Sequence, residues 1–152
     1  MPDVVDAATR SRMMSGIRGK NTKPEMLLRR GLHARGLRYR LHARDLPGSP
    51  DMVFPARRAV LFVHGCFWHG HDCHLFRMPG SRPDFWRTKI ERNREVDRRA
   101  VDALREAGWR VAVVWECALK GRTRRDPDAV LDACALWARE GGDWLEIRGR
   151  DE

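Results

Sequence analysis

Two apolar runs frame the chain. Ala59–Val63 and Arg110–Trp115 (RVAVVW) are rich in β-branched and aromatic residues, the pattern of strands covered on both faces. Between them, from Asp84 as its cap to about Ala107, Phe85, Ile90, Val96, Val101 and Leu104 recur among Arg92, Arg94, Arg98, Arg99 and Arg105, a long basic helix closed by Gly108. Strand, long helix, strand implies a crossover that leaves the second strand parallel to an earlier one. Upstream, Thr22-Lys23-Pro24-Glu25 opens another helix: Thr22 fits the N-cap, Pro24 the first turn and Glu25 the reciprocal position of a capping box. Met26, Leu27, Leu28 and Leu32 follow at helical spacing, and Gly36 ends it. Leu37–Leu41 alternates apolar and basic like a half-exposed strand, and Asp51–Phe54 reads as a short one; with Ala59–His64 they form an antiparallel meander. Asp126–Pro127 starts a last helix through Val130, Leu131, Cys134 and Trp137. The order helix, three strands, helix, strand, helix predicts an α/β fold around a small mixed β-sheet flanked by helices.

Charge narrows the partners. The 152 residues suit one domain, and 30 Lys+Arg against 21 Asp+Glu give a net charge of +9 at pH 7. The basic residues are mostly Arg, whose planar fork matches phosphate, so an anionic polymer leads over a merely soluble basic surface. No apolar run reaches the length of a membrane span and the first residues lack a signal-peptide core, so a cytoplasmic location is expected. In a reducing compartment the four Cys are metal ligands or free thiols rather than disulfides. Residues 1–20 read as a basic arm, 21–122 as the core and 123–152 as a C-terminal helix and tail. In the arm, Met13, Met14 and Ile17 share one helical face, to pack on the core or to enter a DNA groove.

The chemistry concentrates in Arg58–His74 (RAVLFVHGCFWHGHDCH), where a buried strand delivers His, Cys and aromatic residues at its end. Cys66, His71 and Cys73 lie within eight residues, and Cys117 follows the other buried strand. Should the two strands be neighbours, three thiolates and an imidazole can close a tetrahedral structural zinc site; separate buried thiols with solvent-facing His are the plainer reading. Cys134 falls in an apolar helical pattern and is assigned to the core.

Asp51 and the Val63–His64 strand end can meet at one sheet edge. Nucleases of the PD-(D/E)xK type hold Mg²⁺ in that way, although Phe62 and His64 stand here where those enzymes have an acid and a Lys. Mg²⁺ also binds through one or two carboxylates completed by substrate phosphate. Water would attack the phosphodiester in line, with His64 or His69 as the base. Phe67–Trp68 suits a wedge between base pairs; Trp86 either joins it or packs in the core. Glu25 serves as a cap, as an active-site carboxylate, or as both.

Taken together, HGCFWHGHDCH after a basic strand, the TKPE helix start, the lone Pro50–Asp51 and the RVAVVWECALKGR ending resemble the very-short-patch mismatch repair (Vsr) endonucleases, over about Arg10 to Arg122. The resemblance implies a restriction-endonuclease-like core, structural zinc and Mg²⁺-dependent nicking. The substrate would be double-stranded DNA, cut 5′ to the thymine of a T·G mismatch left by deaminated 5-methylcytosine. A monomer is expected, since a single mismatched strand offers no two-fold target, and mismatch-repair factors are candidate partners that the sequence does not identify. By position, Asp51 and the Val63 carbonyl would bind Mg²⁺, His69 would be the general base, and Glu25 and His64 would act through metal-bound water. Cys66, His71, Cys73 and Cys117 would hold zinc, and Phe67, Trp68, Trp86 and Met14 would contact DNA. Val63 stands where a well-known member has Thr, a change that preserves a carbonyl ligand but no hydroxyl role. A non-catalytic zinc-stabilised DNA-binding module is the alternative, and Asp51 separates the two, since a binder has no use for it.

Overall fold

A computed structural model describes residues 22–150; the arm with Met13 and Met14 lies outside the described residues. Helix α1 (Lys23–Ala34) begins as its sequence dictates: Thr22 is extended and its side chain accepts the Glu25 N–H at 3.4 Å. At its end Gly36 takes φ 87°, and the Gly36 and Leu37 N–H groups return to the His33 and Leu32 carbonyls. That closure claims Leu37 for the helix end and the core. The expected strand Leu37–Leu41 therefore shortens to β1 (Arg40–Leu41).

Strand β2 (Met52–Phe54) pairs antiparallel with β1 and with β3 (Ala59–His64), confirming the meander. The link is a 3₁₀ turn, Pro55–Arg57, with Arg58 at φ 50°. Helix α2 (Pro83–Glu106) starts one residue before the expected cap. Its N-cap is Arg82 at φ 54°, without a side-chain cap bond, so Asp84 is a first-turn acid that accepts from Arg87 rather than the cap. Strand β4 (Arg110–Trp115) lies parallel to β3, with His64 opposite Trp115. Helix α3 (Pro127–Glu140) follows.

The tail then holds an element absent from the sequence reading: β5 (Trp144–Ile147), parallel to β4, completes a sheet ordered β1-β2-β3-β4-β5. Four half-exposed residues after Gly141-Gly142 carry too short an alternation to stand out. Among the described residues no helix is long and apolar enough to cross a membrane.

Alternation along the strands divides the core. Met52, Phe54, Ala59, Leu61, Ala112 and Val114 face α1 and α3, against Leu28, Leu32, Leu131 and Trp137. Val53, Val60, Phe62, Val111 and Val113 face α2 through Leu104. One consequence matters for function. Because β2 runs against β3 while β3, β4 and β5 run together, the start of β2 and the ends of the other three share one sheet edge. Asp51, Val63–His64, Glu116–Cys117 and Arg148–Gly149 are thereby placed in a row.

Candidate functional site

The first group on that edge is built from α1, β1 and β2. Asp51 accepts the Val63 N–H at 2.6 Å, and its own carbonyl accepts the His42 N–H at 3.0 Å. Glu25, only 1% exposed, turns its carboxylate inward to His42 Nε2 at 2.7 Å, with Arg29 at 3.6 Å. Glu25 is thus both part of the helix start, through its N–H, and part of the site. One ligand atom each from Glu25, His42 and Asp51 all lie within 4.8 Å of one another. Burial raises the Asp51 carboxyl to about 7; the neighbouring Glu25 charge adds to the rise and the Val63 N–H opposes it. Two sequestered carboxylates that crowd each other fit a hard dication with oxygen ligands. His42 was not singled out in the sequence; in LRYRLHAR nothing but its place after a strand marks it.

Beside this group, β3 delivers His64 and the following loop His69, with their rings stacked at 4.0 Å and 9°. His69 Nδ1 is hydrogen-bonded to Asp97 on α2. A carboxylate only accepts, so Nδ1 carries the proton and Nε2 is the basic nitrogen of the neutral ring. Asp97 was missed because it sits among arginines on an apparently solvated helix face. His64 is 7% exposed and its Nδ1 makes no hydrogen bond among the described residues. Burial, with His69 and His71 adding, pushes its pKa well below the usual imidazole value, so it is neutral. A cleft of about 290 Å³ joins the groups, lined by His42, Asp51, Val63, His64, His69 and Asp97.

One strand over, the ends of β3 and β4 meet as their parallel pairing requires, bringing Cys66, His71, Cys73 and Cys117 together with ligand atoms within 4.8 Å. Cys117 Sγ lies 3.5 Å from His71 Nδ1 and accepts the Gly149 N–H at 3.2 Å. The His71 ring stacks on Trp115 at 4.0 Å, and Glu116 accepts the Cys66 N–H at 3.1 Å. Burial, reinforced by the proximity of the other thiols, raises the Cys66 and Cys117 pKa values. Such a cluster becomes thiolate only when a cation compensates it, so this donor set fits a soft dication in a closed tetrahedral site. Cys134 lies apart, buried in α3 with its thiol pushed up to about 12, and is core as expected.

The aromatic pair is not sunk in the interior. Phe67 and Trp68 are both half-exposed, and Trp86 meets them from α2 at 5.5 and 5.9 Å between ring centroids. Phe76 and the 44%-exposed Phe85 flank the group. Asn93 on α2 donates to the Trp68 carbonyl at 2.9 Å and fixes the loop to the helix. Trp86 belongs to this outward-facing patch rather than to either core cluster.

A profile of the family described as DNA mismatch endonuclease Vsr matches residues 2–75. The DNA mismatch endonuclease Vsr of Escherichia coli K12 is 46% identical over 137 residues, 90% of this chain and 88% of that protein. The chain belongs to the Vsr family. Two other relatives are named as type II nicking enzymes. V.XorIIP of Xanthomonas oryzae pv. oryzae is 56% identical over 78% of this chain and 88% of its own length. V.NmeAIP of Neisseria meningitidis is 43% identical over 80% of this chain and 87% of its own. As a Vsr protein the chain is a DNA-nicking endonuclease, and the alternative of a non-catalytic DNA-binding module falls.

Proposed function

We propose that this Vsr endonuclease is Mg²⁺-dependent, has a restriction-endonuclease-like core with structural zinc, and nicks one strand 5′ to the thymine of a T·G mismatch. The observation that carries the reading is the shared cleft. A buried carboxylate group opens onto the same 290 Å³ space as a His69 whose other nitrogen is held by Asp97.

Asp51 and the Val63 carbonyl would hold the magnesium, which when bound supplies positive charge to the phosphoryl and leaving oxygens. His69 takes the proton of the attacking water at Nε2 as general base. Asp97 fixes the tautomer through Nδ1 and stabilises the imidazolium once that proton arrives. His64, neutral and with Nδ1 unused, orients solvent in the cleft; Glu25, held by its ion partners His42 and Arg29, would act through water beside Asp51. Cys66, His71, Cys73 and Cys117 would hold zinc, pinning the loop that carries both His69 and the wedge. Phe67, Trp68 and Trp86 insert where pairing is weakest, because separating a stacked step costs a few kcal/mol and least at a mismatch.

The test is to incubate zinc-loaded protein and Mg²⁺ with otherwise identical T·G and C·G duplexes and to map the nick. Cleavage of the T·G duplex alone, 5′ to its thymine, is expected. Equal cleavage of both duplexes would remove the mismatch assignment, and undiminished cleavage in Mg²⁺-free buffer the metal assignment.

A further inference from the structure

Attack on a phosphodiester adds negative charge to a group that already carries one, and fixed positive charge nearby stabilises that transition state. Phe62 and His64 stand where nucleases of the PD-(D/E)xK type have an acid and a Lys, so the fixed charge of that lysine is missing from β3. Among the described residues that line the cleft of Asp51 and His69, Arg44 is the one Arg or Lys. The other polar groups there are engaged: His42 with Glu25 at 2.7 Å, His69 with Asp97, and Asp51 with the Val63 N–H at 2.6 Å. Arg44 is exposed, and its guanidinium makes no hydrogen bond or ion pair among the described residues. The adjacent acid, Asp45, turns to Arg40 at 3.4 Å instead.

The turn that carries Arg44 is fixed on both sides. Past the end of β1 the His42 and Ala43 N–H groups reach the Asp51 and Pro50 carbonyls at 3.0 and 3.1 Å, so Arg44 stands one residue beyond the ladder that contains Asp51. The Leu46 and Ser49 N–H groups close the turn onto the Ala43 and Leu46 carbonyls at 3.3 and 3.0 Å. Its far side rests against α2 and β3. Gly48, at φ 74°, lies so close that a Cβ would meet Ala100 Cβ at 2.7 Å and the Phe62 ring at 3.2 Å. With the backbone already ordered, docking on an anion immobilises only the arginine side chain.

We propose that Arg44 is a catalytic residue of the nicking reaction, its guanidinium binding the non-bridging oxygens of the scissile phosphate and stabilising the charge that builds on them in the transition state. A guanidinium fork matches two phosphate oxygens and stays charged at every working pH. No bond forms or breaks at Arg44. The water oxygen bonds to phosphorus while its proton passes to His69 Nε2; the bond to the leaving sugar oxygen breaks, and that oxygen takes a proton from solvent. This role rests on the cleft being the place of cleavage. The competing role is a ground-state contact to the DNA backbone, which aids binding and leaves the chemical step unchanged.

The test compares zinc-loaded wild type, Arg44→Ala, Arg44→Lys and Asp51→Ala on a duplex that the wild type nicks. Single-turnover nicking is measured in Mg²⁺ at saturating enzyme, and binding is measured without divalent cation. Arg44→Ala should lower the single-turnover rate about 10²-fold. Its affinity should fall no more than about fivefold. Arg44→Lys should recover part of the rate. Guanidinium ion at a non-denaturing concentration, matched against KCl of equal ionic strength, should speed Arg44→Ala several-fold and leave wild type and Asp51→Ala unmoved. Melting temperature and zinc content should match wild type in both Arg44 variants, since the side chain is exposed and unpaired. The role is overturned if Arg44→Ala keeps its single-turnover rate, whatever happens to its affinity. It is equally overturned if a lost rate is relieved by neither lysine nor guanidinium ion, or falls together with melting temperature and zinc. Undiminished nicking by Asp51→Ala overturns the cleft reading beneath it, an outcome distinct from an intact Arg44→Ala rate beside an inactive Asp51→Ala.

Discussion

Replacing Asp51 by Asn should stabilise the protein while abolishing its activity. The Asp51 carboxyl has a folded pKa of about 7 against an ordinary 3.8. Between about pH 4 and 7 the folded protein therefore binds more protons at this group than the unfolded chain, and stability falls as pH rises through that window. At 1.36 kcal/mol per pKa unit the cost at pH 8 has a ceiling of about 4 kcal/mol. Partial exposure of the group to solvent brings the expected figure nearer about 2 kcal/mol. Asn keeps an oxygen for the Val63 N–H but carries no charge. The variant should thus match the wild type near pH 4.5 and exceed it at pH 8 by roughly 5 °C in melting temperature. Urea unfolding of zinc-loaded protein at several pH values, with and without Mg²⁺, measures this directly. Magnesium at 100 times its Kd should return about 2.7 kcal/mol to the wild type and little to the variant. A difference between the two proteins that stays constant from pH 4.5 to 8, or equal stabilisation of both by Mg²⁺, would refute the reasoning.

Three other perturbations address the neighbouring groups. Cys117→Ala should release the bound zinc and expose 66–74 to protease; intact protection of that loop with zinc removed would contradict a structural role for the metal. Asp97→Asn should lower the nicking rate on the order of 10²-fold with DNA affinity unchanged, since it removes the group that fixes His69 as a base; single-turnover rates against binding isotherms check it, and an unchanged rate sinks it. Trp68→Ala and Trp86→Ala should each cost about 1–3 kcal/mol in binding to a T·G duplex, and less on matched DNA. Equal losses on both duplexes would mean that the rings do not open the helix at the mismatch.

Periodicity in the sequence was enough to find β3 and β4 at their observed bounds, because both are covered on two faces and leave no polar interruption. It was poor at the margins. Leu37 reads as strand by alternation but is held by the helix closure at Leu32, a hydrogen bond that depends on the left-handed Gly36. β5 is stabilised by pairing with β4 and packing of Leu145 and Ile147, neither of which leaves a local signal in four residues. The grouping of Cys66, His71, Cys73 and Cys117 was legible since cysteines are few and a strand–helix–strand crossover can bring the two strand ends together. Asp97 and His42 were not. Each acquires its role from a partner at least 17 positions away, and an acid on an arginine-rich helix looks like ordinary surface. Glu25 shows how one residue meets both demands: its backbone joins the cap while its side chain, nearly inaccessible, serves the site.

Whether the carboxylate site performs cleavage rather than recognition is tested most directly by Asp51→Ala. Nicking and binding of one T·G duplex should be measured side by side for variant and wild type, in Mg²⁺ for the first and without it for the second. Nicking should disappear while affinity stays within about twofold of wild type, a margin worth only about 0.4 kcal/mol. Continued nicking by the variant at a comparable rate would contradict it.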